Sequence, residues 1–480
     1  MKTWLAFITV SAAALVLYLS TAAPSLTWAH AGADGGDLIS AAITNGVAHP
    51  PGYPTYVTIG QLVARLPVGD AAYRFTLLST VSMALAAGFT TLSILALSRR
   101  VLIAILAGLF FAAAPMVWGQ ATIAEVYALN AAFVAVIVYL VTPIVFRRAP
   151  VSLFRLAFAA WLWGLAFGNS VTVAALAPLT IVAWWRKRTS TASRRVTRRM
   201  TWLPILTFAI GLSVYLLIPL RAAQQPPINW GNATTLDRFF ALISAEMYRG
   251  YALSTAPPEL LTRIVAFAQL LVMQYGWLGV GLGTIGAYYA LITSNRNWRW
   301  LALTILLYLL FALSYNTPDS ALYLIPVWMF GAWAIARGMD AARRVPSWVL
   351  LLLIFLVGPL LNIITHYPAM NLRDDHAAVD FANQVLTTAP PGAIVITGRD
   401  GHTFALWYHR VAAGSRPDLA IVDRRLAGYE WYAVMLQTQG SAPQLPEYDP
   451  PDSWLARLAT LNPGRALCIV ADTTAQFTCD

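Results

Sequence analysis

Apolar residues along the chain gather into blocks of roughly 17 to 25 residues separated by short polar stretches, the length a helix needs to cross a bilayer. None of the blocks alternates with period two. Because only helices or a closed barrel satisfy the backbone in hydrocarbon, the blocks predict helices. Spans are predicted over residues 3–22, 75–98, 101–118, 126–146, 152–168, 170–185, 201–220, 264–293, 300–314, 321–336 and 347–365. The eighth is longer than a bilayer requires and is expected to tilt or break near Gly276. From His366 onward the hydropathy falls and the charge density rises, leaving about 115 residues for a soluble domain. Within it, 393–397, 418–423 and 466–471 read as short buried strands, separated by helical stretches at 375–387 and 403–411. The expected fold class is thus a mainly α polytopic membrane protein with about 11 transmembrane helices over 1–365. Its first outer loop is 23–74, and a small α/β domain with a mostly parallel sheet follows over 366–480.

Composition agrees: 58% of residues are hydrophobic, only 11% are charged, and the mean hydropathy is +0.62. The basic residues set the orientation. Lys2, Arg99 and Arg100, Arg147 and Arg148, the run from Arg186 to Arg199, Arg296 and Arg299, and Arg337, Arg343 and Arg344 all fall on one side by parity, which predicts the cytoplasm. Asp34, Asp37, Asp70, Glu125, Asp237, Glu246, Glu259 and Asp319 fall on the other side; Asp340 alone before the tail does not. The net charge of +11 is largely this loop asymmetry, and no basic stripe interleaved with aromatics points to nucleic acid. Arg194–Arg199 is expected to meet anionic membrane lipid. Residues 1–31 resemble a signal peptide but are expected to be retained, since the acidic loop follows at once. The two cysteines, Cys468 and Cys479, are placed outside, where a disulfide is permissible. The absence of a P-loop or dinucleotide fingerprint argues against a nucleotide-driven pump.

The chemistry concentrates in the first outer loop. Asp34 and Asp37 are the first acids of the chain, and the spacing Asp-x-x-Asp sets two carboxylates about one helical turn apart, where they can converge on one proton, hydroxyl or cation. Gly46 to Pro54 follows, with three prolines and Gly52 holding His49 and Tyr53 on a stiff non-helical path. A rigid connecting loop with solvated acids is the alternative. In the tail, the turn from Gly398 to His402 follows the first predicted strand, where open α/β sheets place ligands.

Asp34-Gly-Gly-Asp37-Leu, Gly46 to Pro54 (Gly-Val-Ala-His-Pro-Pro-Gly-Tyr-Pro), Ala72-Tyr-Arg74 and Ala124-Glu125-Val-Tyr127-Ala-Leu-Asn130 together resemble a widespread membrane family. That family includes the animal endoplasmic-reticulum O-mannosyltransferase acting on plexin-type immunoglobulin-like domains. Ile228-Asn-Trp-Gly231, Tyr315 to Asp319, Thr403 to Tyr408 and Arg416-Pro-Asp418 are similar to its bacterial branch. Two positions depart from the pattern: Asp37 stands where the family has Glu, and Ser170 where it has His. The resemblance implies a GT-C glycosyltransferase, a class that uses polyprenyl-phosphate sugars on the non-cytoplasmic face with an acid in the first outer loop. It implies an inverting transfer of a sugar, mannose among the candidates, to a hydroxyl on a protein, lipid or glycan acceptor.

Such a reaction must deprotonate the acceptor, align it with the anomeric carbon and stabilise the departing phosphate. Asp34 is the expected base, with Asp37 orienting and Glu125 lining the same cavity. No cofactor is expected, although a divalent cation between the acids is the alternative. Arg74 and Arg221, at outer span ends, are candidate phosphate forks or ordinary interfacial arginines. His49 is a candidate donor to phosphate or sugar. Tyr53, Tyr127, Trp230 and Tyr323 are candidates for stacking on sugar or prenyl chain, with packing as the alternative. Asn130 and Asp319 are expected at the cavity, and His402, Trp407 and Tyr408 are expected to face the acceptor. A transporter or lipid-linked-sugar flippase is the competing reading, but its site would lie near the membrane midplane between repeats, and no repeat is visible. A third is an assembly protein whose tail binds a partner.

Overall fold

The computed structural model describes residues 2–147, 149, 152–189, 202–292, 297–343, 348–440, 442–447, 451–472 and 476–480. The Arg194–Arg199 cluster lies outside them. The chain begins with α1 (Lys2–Leu19), α2 (Gly35–Ile43), α3 (Pro54–Val63), α4 (Ala71–Ser98), α5 (Val101–Ala112), α6 (Pro115–Ala121), α7 (Val126–Arg147), α8 (Leu153–Phe167) and α9 (Ala177–Thr189). It continues with α10 (Leu203–Leu212), α11 (Leu217–Ala222), α12 (Leu236–Ile243), α13 (Pro257–Ile292), α14 (Trp298–Ser314), α15 (Ile325–Ala342) and α16 (Trp348–Met370). Starts follow local chemistry. Proline occupies the first turn of α3, α6, α10 and α15, where its missing N–H costs nothing, and the Asp70 carboxylate caps α4 by accepting from the Tyr73 N–H at 2.7 Å.

Each of the eleven expected spans is mainly helical over its described residues. Among the described residues seven helices are long and apolar enough to cross a membrane, and α5 with α6, bent by 69°, makes an eighth. The other three, α8, α9 and α14, have 15, 13 and 17 residues and reach less than the roughly 30 Å of hydrocarbon on their own. The predicted break in the long helix is present: Gly276 has φ 61° and ψ 171°, which separates α13 into two helical arms. Small residues let helices touch backbone to backbone. A Cβ on Gly286 of α13 would meet the Ala334 carbonyl of α15, and one on Gly338 the Leu282 carbonyl, so this crossing depends on both glycines.

The tail contains α17 (Ala377–Thr388), β1 (Ile394–Thr397), α18 (Asp400–Trp407), β2 (Ala420–Asp423), α19 (Glu430–Thr438), α20 (Pro451–Leu461), β3 (Leu467–Val470) and β4 (Phe477–Cys479). The sheet order is β2-β1-β3-β4, with β1 parallel to both neighbours and β4 antiparallel to β3. The three predicted strands are present. β4 carries no apolar run of its own, and the Cys468–Cys479 disulfide ties it to β3 at directly opposed positions. The tail does not stand apart from the membrane portion. Leu38, Ala42, Val47 and Phe75 of the first loop region share one buried cluster with Ile394, Phe404, Trp407 and Tyr432 of the tail. Trp28 Nε1 donates to the Gly401 carbonyl at 3.0 Å, and Gln439 Nε2 to the Pro227 carbonyl at 2.8 Å.

Candidate active site

Asp34 sits immediately before α2 and Asp37 in its first turn, where a carboxylate is favoured by the unpaired N–H groups of a helix start. α2 can lie flat under the tail because Gly36 has no side chain: a Cβ there would stand 2.2 Å from the Phe404 carbonyl of α18. The proline loop then returns His49 between the two acids. Its Nδ1 lies 2.7 Å from Asp37 Oδ2, its backbone N–H donates to the same oxygen at 2.9 Å, and its Nε2 lies 3.5 Å from Asp34 Oδ2. The remaining Asp37 oxygen accepts from Trp230 Nε1 at 2.8 Å. Trp230 is brought there by a short parallel bridge in which the Val47 N–H donates to the Ile228 carbonyl and the Trp230 N–H to the Val47 carbonyl.

The two carboxylates therefore differ sharply. The Asp37 side chain is fully buried and spends both oxygens on N–H donors, whereas the Asp34 side chain remains 40% exposed. Burial nevertheless raises the Asp34 carboxyl to about 6; His49 opposes this, and the charges of Asp400, Asp319 and Asp37 add to it. For His49, burial works against the charged ring, but Asp34 and the Asp37 hydrogen bond outweigh it and hold the imidazole up at about 9. Glu125, 2% exposed just before α7, is pushed well above the carboxylate range by burial and by Asp34, and its Oε1 has no hydrogen-bond partner among the described residues. The site thus combines one exposed acid, Asp34, two buried acids, Asp37 and Glu125, and the imidazole that lies between Asp34 and Asp37.

Aromatic rings pack around His49 and the acids. Tyr53 packs edge-on against His49 with centroids 4.9 Å apart, and Phe404 from the tail stacks over the other side at 6.2 Å. Tyr53 itself has φ 42°, a left-handed conformation rare for a bulky residue, immediately before α3. The Tyr127 hydroxyl donates to Asp319 Oδ2 at 2.9 Å, and Tyr323 stands 5.9 Å from the Tyr127 ring. Asn130, one turn beyond Tyr127, is 5% exposed with its Oδ1 unpartnered among the described residues. Asp34, Asp37, His49, Tyr53, Glu125, Tyr127, Asp319 and Tyr323 are thereby brought into one electrostatic neighbourhood.

Other expected positions are not brought there. The Arg74 guanidinium donates to the carbonyls of Val68, Ala64 and Gly69 at 2.9, 2.6 and 3.1 Å, closing the loop ahead of α4, so its fork is occupied. Arg221, 5% exposed, bonds Asn45, Thr58 and Gln61 and joins α11 to α3. Trp230 is 1% exposed, and its polar edge serves Asp37, so it is not a stacking platform. His402, Trp407 and Tyr408 are buried and do not face an acceptor opening. His402 lies between Phe381 and Trp28, Trp407 against Trp230, and the Tyr408 hydroxyl beside Asp70 and the Ala72 N–H: all three seal the tail onto the first loop. The physical reason is shared, since these large rings supply apolar area that only the joint between loop and tail can bury. Sequence reasoning passed over Phe404, Asp400 and Tyr248. Phe404 belongs to the same Thr403 to Tyr408 string, Asp400 to the turn after β1, and Tyr248, whose hydroxyl senses Asp400, Asp34 and Asp37, carried no sequence signal.

Comparison with known proteins finds similarity over most of the chain. Residues 34–193 match the family model described as "Protein O-mannosyl-transferase TMEM260 N-terminal domain", which begins at Asp34, and residues 378–447 match "TMEM260-associated domain 2". The mouse protein O-mannosyl-transferase TMEM260 is 28% identical over 428 residues, covering 84% of this chain and 60% of the mouse protein. The Dictyostelium discoideum counterpart is 23% identical over 480 residues, covering 87% and 57%. The chain therefore spans less than two thirds of the length of these relatives. In fold it is similar to ArnT from Cupriavidus metallidurans. The apo crystal structure gives a TM-score of 0.59 at 14% identity, covering 97% of this chain and 92% of that one; the structure bound to undecaprenyl phosphate gives 0.56 at 13%, covering 98% and 96%. Over these two segments the chain is therefore similar to the TMEM260 protein O-mannosyl-transferases, and in fold it is similar to ArnT along nearly its whole length.

Proposed function

We propose that the protein is a membrane glycosyltransferase that moves a sugar from a polyprenyl-phosphate donor to an acceptor hydroxyl on the extracytoplasmic face, with Asp34 as the general base. The observation that carries this reading is the asymmetry of the acid cluster. Asp34 alone of Asp34, Asp37 and Glu125 keeps an exposed carboxylate, and burial tunes that carboxyl to about 6, near the pH at which it must accept a proton. In the step proposed, Asp34 takes the hydroxyl proton as the acceptor oxygen bonds to the anomeric carbon. The bond from that carbon to phosphate breaks, the phosphate leaves with the electron pair, and the configuration inverts. His49, held cationic, supplies positive charge beside the reacting atoms; Asp37 and Trp230 hold its ring. No divalent cation enters the proposal, because Asp37 already spends both oxygens on N–H donors and an imidazolium separates it from Asp34.

Mannose as the sugar and a protein hydroxyl as the acceptor follow the names of the mouse and Dictyostelium relatives. The extracytoplasmic placement follows the parity of basic and acidic loops, which also sets the tail outside. Purified protein is to be incubated with a panel of polyprenyl-phosphate sugars and serine- and threonine-bearing polypeptides, and polyprenyl phosphate release measured. Acceptor-dependent release from the mannose donor is expected. No release from any donor, or equal release by Asp34→Asn, overturns the proposal. The expected side is checked by labelling Gly440→Cys in intact cells with an impermeant thiol reagent, where protection from the reagent contradicts it.

A further inference from the structure

The end of the molecule away from Asp34 holds a cavity that the chemistry at Asp34 does not use. It encloses about 450 Å³ and is lined by Arg99, Arg100 and Arg343 together with apolar side chains that include Leu102, Leu352 and Phe355. α4 separates it from the first loop: that helix has 28 residues, about 42 Å of rise, and runs from Asp70 to Arg99. The cavity therefore lies at the Arg99 end of α4, away from the first loop.

Its charge is unbalanced. Asp340 is the acid in contact with the cluster, and it is shared, with Oδ1 lying 3.1 Å from Arg100 Nε and 2.8 Å from Arg343 Nε. Among the described residues three guanidinium groups thus face one carboxylate, a surplus of two positive charges. Both distances are to Nε, and among the described residues no hydrogen bond runs from the terminal N–H groups of Arg100 or Arg343, the atoms that grip a phosphate in a fork, to Asp340. Arg99 caps the end of α4 with φ 58°, and Arg147, bonded to the Leu97 carbonyl at 2.8 Å, adds a further positive charge nearby. The partners are 35% to 46% exposed, so the existing ion pairs are weak and can rearrange around a stronger anion. Beside this cationic rim, Leu102 is 47% exposed, a surface that water solvates poorly and a hydrocarbon chain covers.

We propose that this cavity is a binding site for one anionic phospholipid of the leaflet opposite Asp34. Its headgroup phosphate is held by Arg99, Arg100 and Arg343, and an acyl chain lies along Leu102, Leu352 and Phe355. A free phosphate satisfies the cationic rim alone and leaves the apolar wall in water; a zwitterionic lipid covers the wall but carries an ammonium that the surplus charge repels.

The test uses the full-length protein in detergent, with thermal unfolding followed against added phosphatidylglycerol, phosphatidylcholine or inorganic phosphate. Phosphatidylglycerol is expected to raise the midpoint saturably, and the other two to leave it unchanged. Each arginine near a charged headgroup is worth about fivefold in affinity, so Arg99→Gln, Arg100→Gln and Arg343→Gln combined are expected to weaken the phosphatidylglycerol effect on the order of 100-fold. Should the triple variant not fold, Arg99→Gln alone, which removes no ion pair with Asp340, is expected to weaken it about fivefold. An increment retained in full by the variant, or reproduced in full by inorganic phosphate or by phosphatidylcholine, overturns the proposal.

Discussion

Asp37 gives the sharpest test of how the site is built. Replacing it by asparagine keeps the shape but leaves one oxygen where two carboxylate oxygens accept three N–H donors: the His49 backbone, the His49 ring and the Trp230 indole. With the amide oxygen toward His49, the Trp230 N–H faces the new NH2 group; with the amide turned over, the backbone and ring N–H groups of His49 both do. At least one buried donor is orphaned either way, which costs about 1 to 3 kcal/mol of stability. The charge at this position also disappears, so His49 loses one of the two carboxylates that hold it at about 9, and its ring moves back toward the ordinary value of 6.5. Two measurements on purified Asp37→Asn are therefore expected to change together: the unfolding midpoint falls by a few degrees, and the alkaline limb of the transfer rate moves to lower pH while the acid limb stays governed by Asp34. An unchanged midpoint with an unshifted alkaline limb refutes the claim that Asp37 acts through His49. Loss of activity at every pH with no shift of either limb assigns Asp37 to the reaction itself.

The other outcomes are more direct. Asp34→Asn is expected to lower kcat by about 10²- to 10⁴-fold with the unfolding midpoint retained, because it removes a proton acceptor whose carboxylate makes no hydrogen bond among the described residues; near-normal turnover makes Asp34 dispensable. In the unaltered protein Asp34 accepts a proton only above its raised value of about 6, and His49 stays cationic only below about 9, so transfer is expected to rise through the first and decline through the second. An acid limb at the ordinary carboxylate value of 3.8 contradicts the burial argument. Gly36→Ala drives a methyl group to 2.2 Å from the Phe404 carbonyl, a backbone atom that cannot swing away, and overpacking of this kind costs about 1 to 3 kcal/mol. Faster limited proteolysis of the tail is the expected sign, and an unchanged rate shows that the joint between α2 and α18 yields.

The hydropathy blocks and the charged residues between them were enough to read the helices, the soluble tail and its three strands, because burial in lipid or in a sheet core imposes a period on the residues themselves. The break at Gly276 was legible for the same reason: one apolar block too long for a bilayer with a glycine inside it. The acid pair and the proline loop were legible as chemistry, since two acids three residues apart stand out in a first hundred residues that hold only one other acid, Asp70. Their division of labour was not. That Asp37 lies buried and Asp34 open depends on Trp230, which arrives from 193 residues away through a bridge to Val47, and on Phe404, which closes from the tail. Arg74, Arg221, His402, Trp407 and Tyr408 look alike on paper whether they bind substrate or complete a joint; which they do turns on the acceptors and rings that folding sets beside them. Local sequence carries periodicity and residue chemistry, whereas exposure and pairing are properties of distant segments meeting, and for this site those meetings separate the candidate base from the groups that hold it.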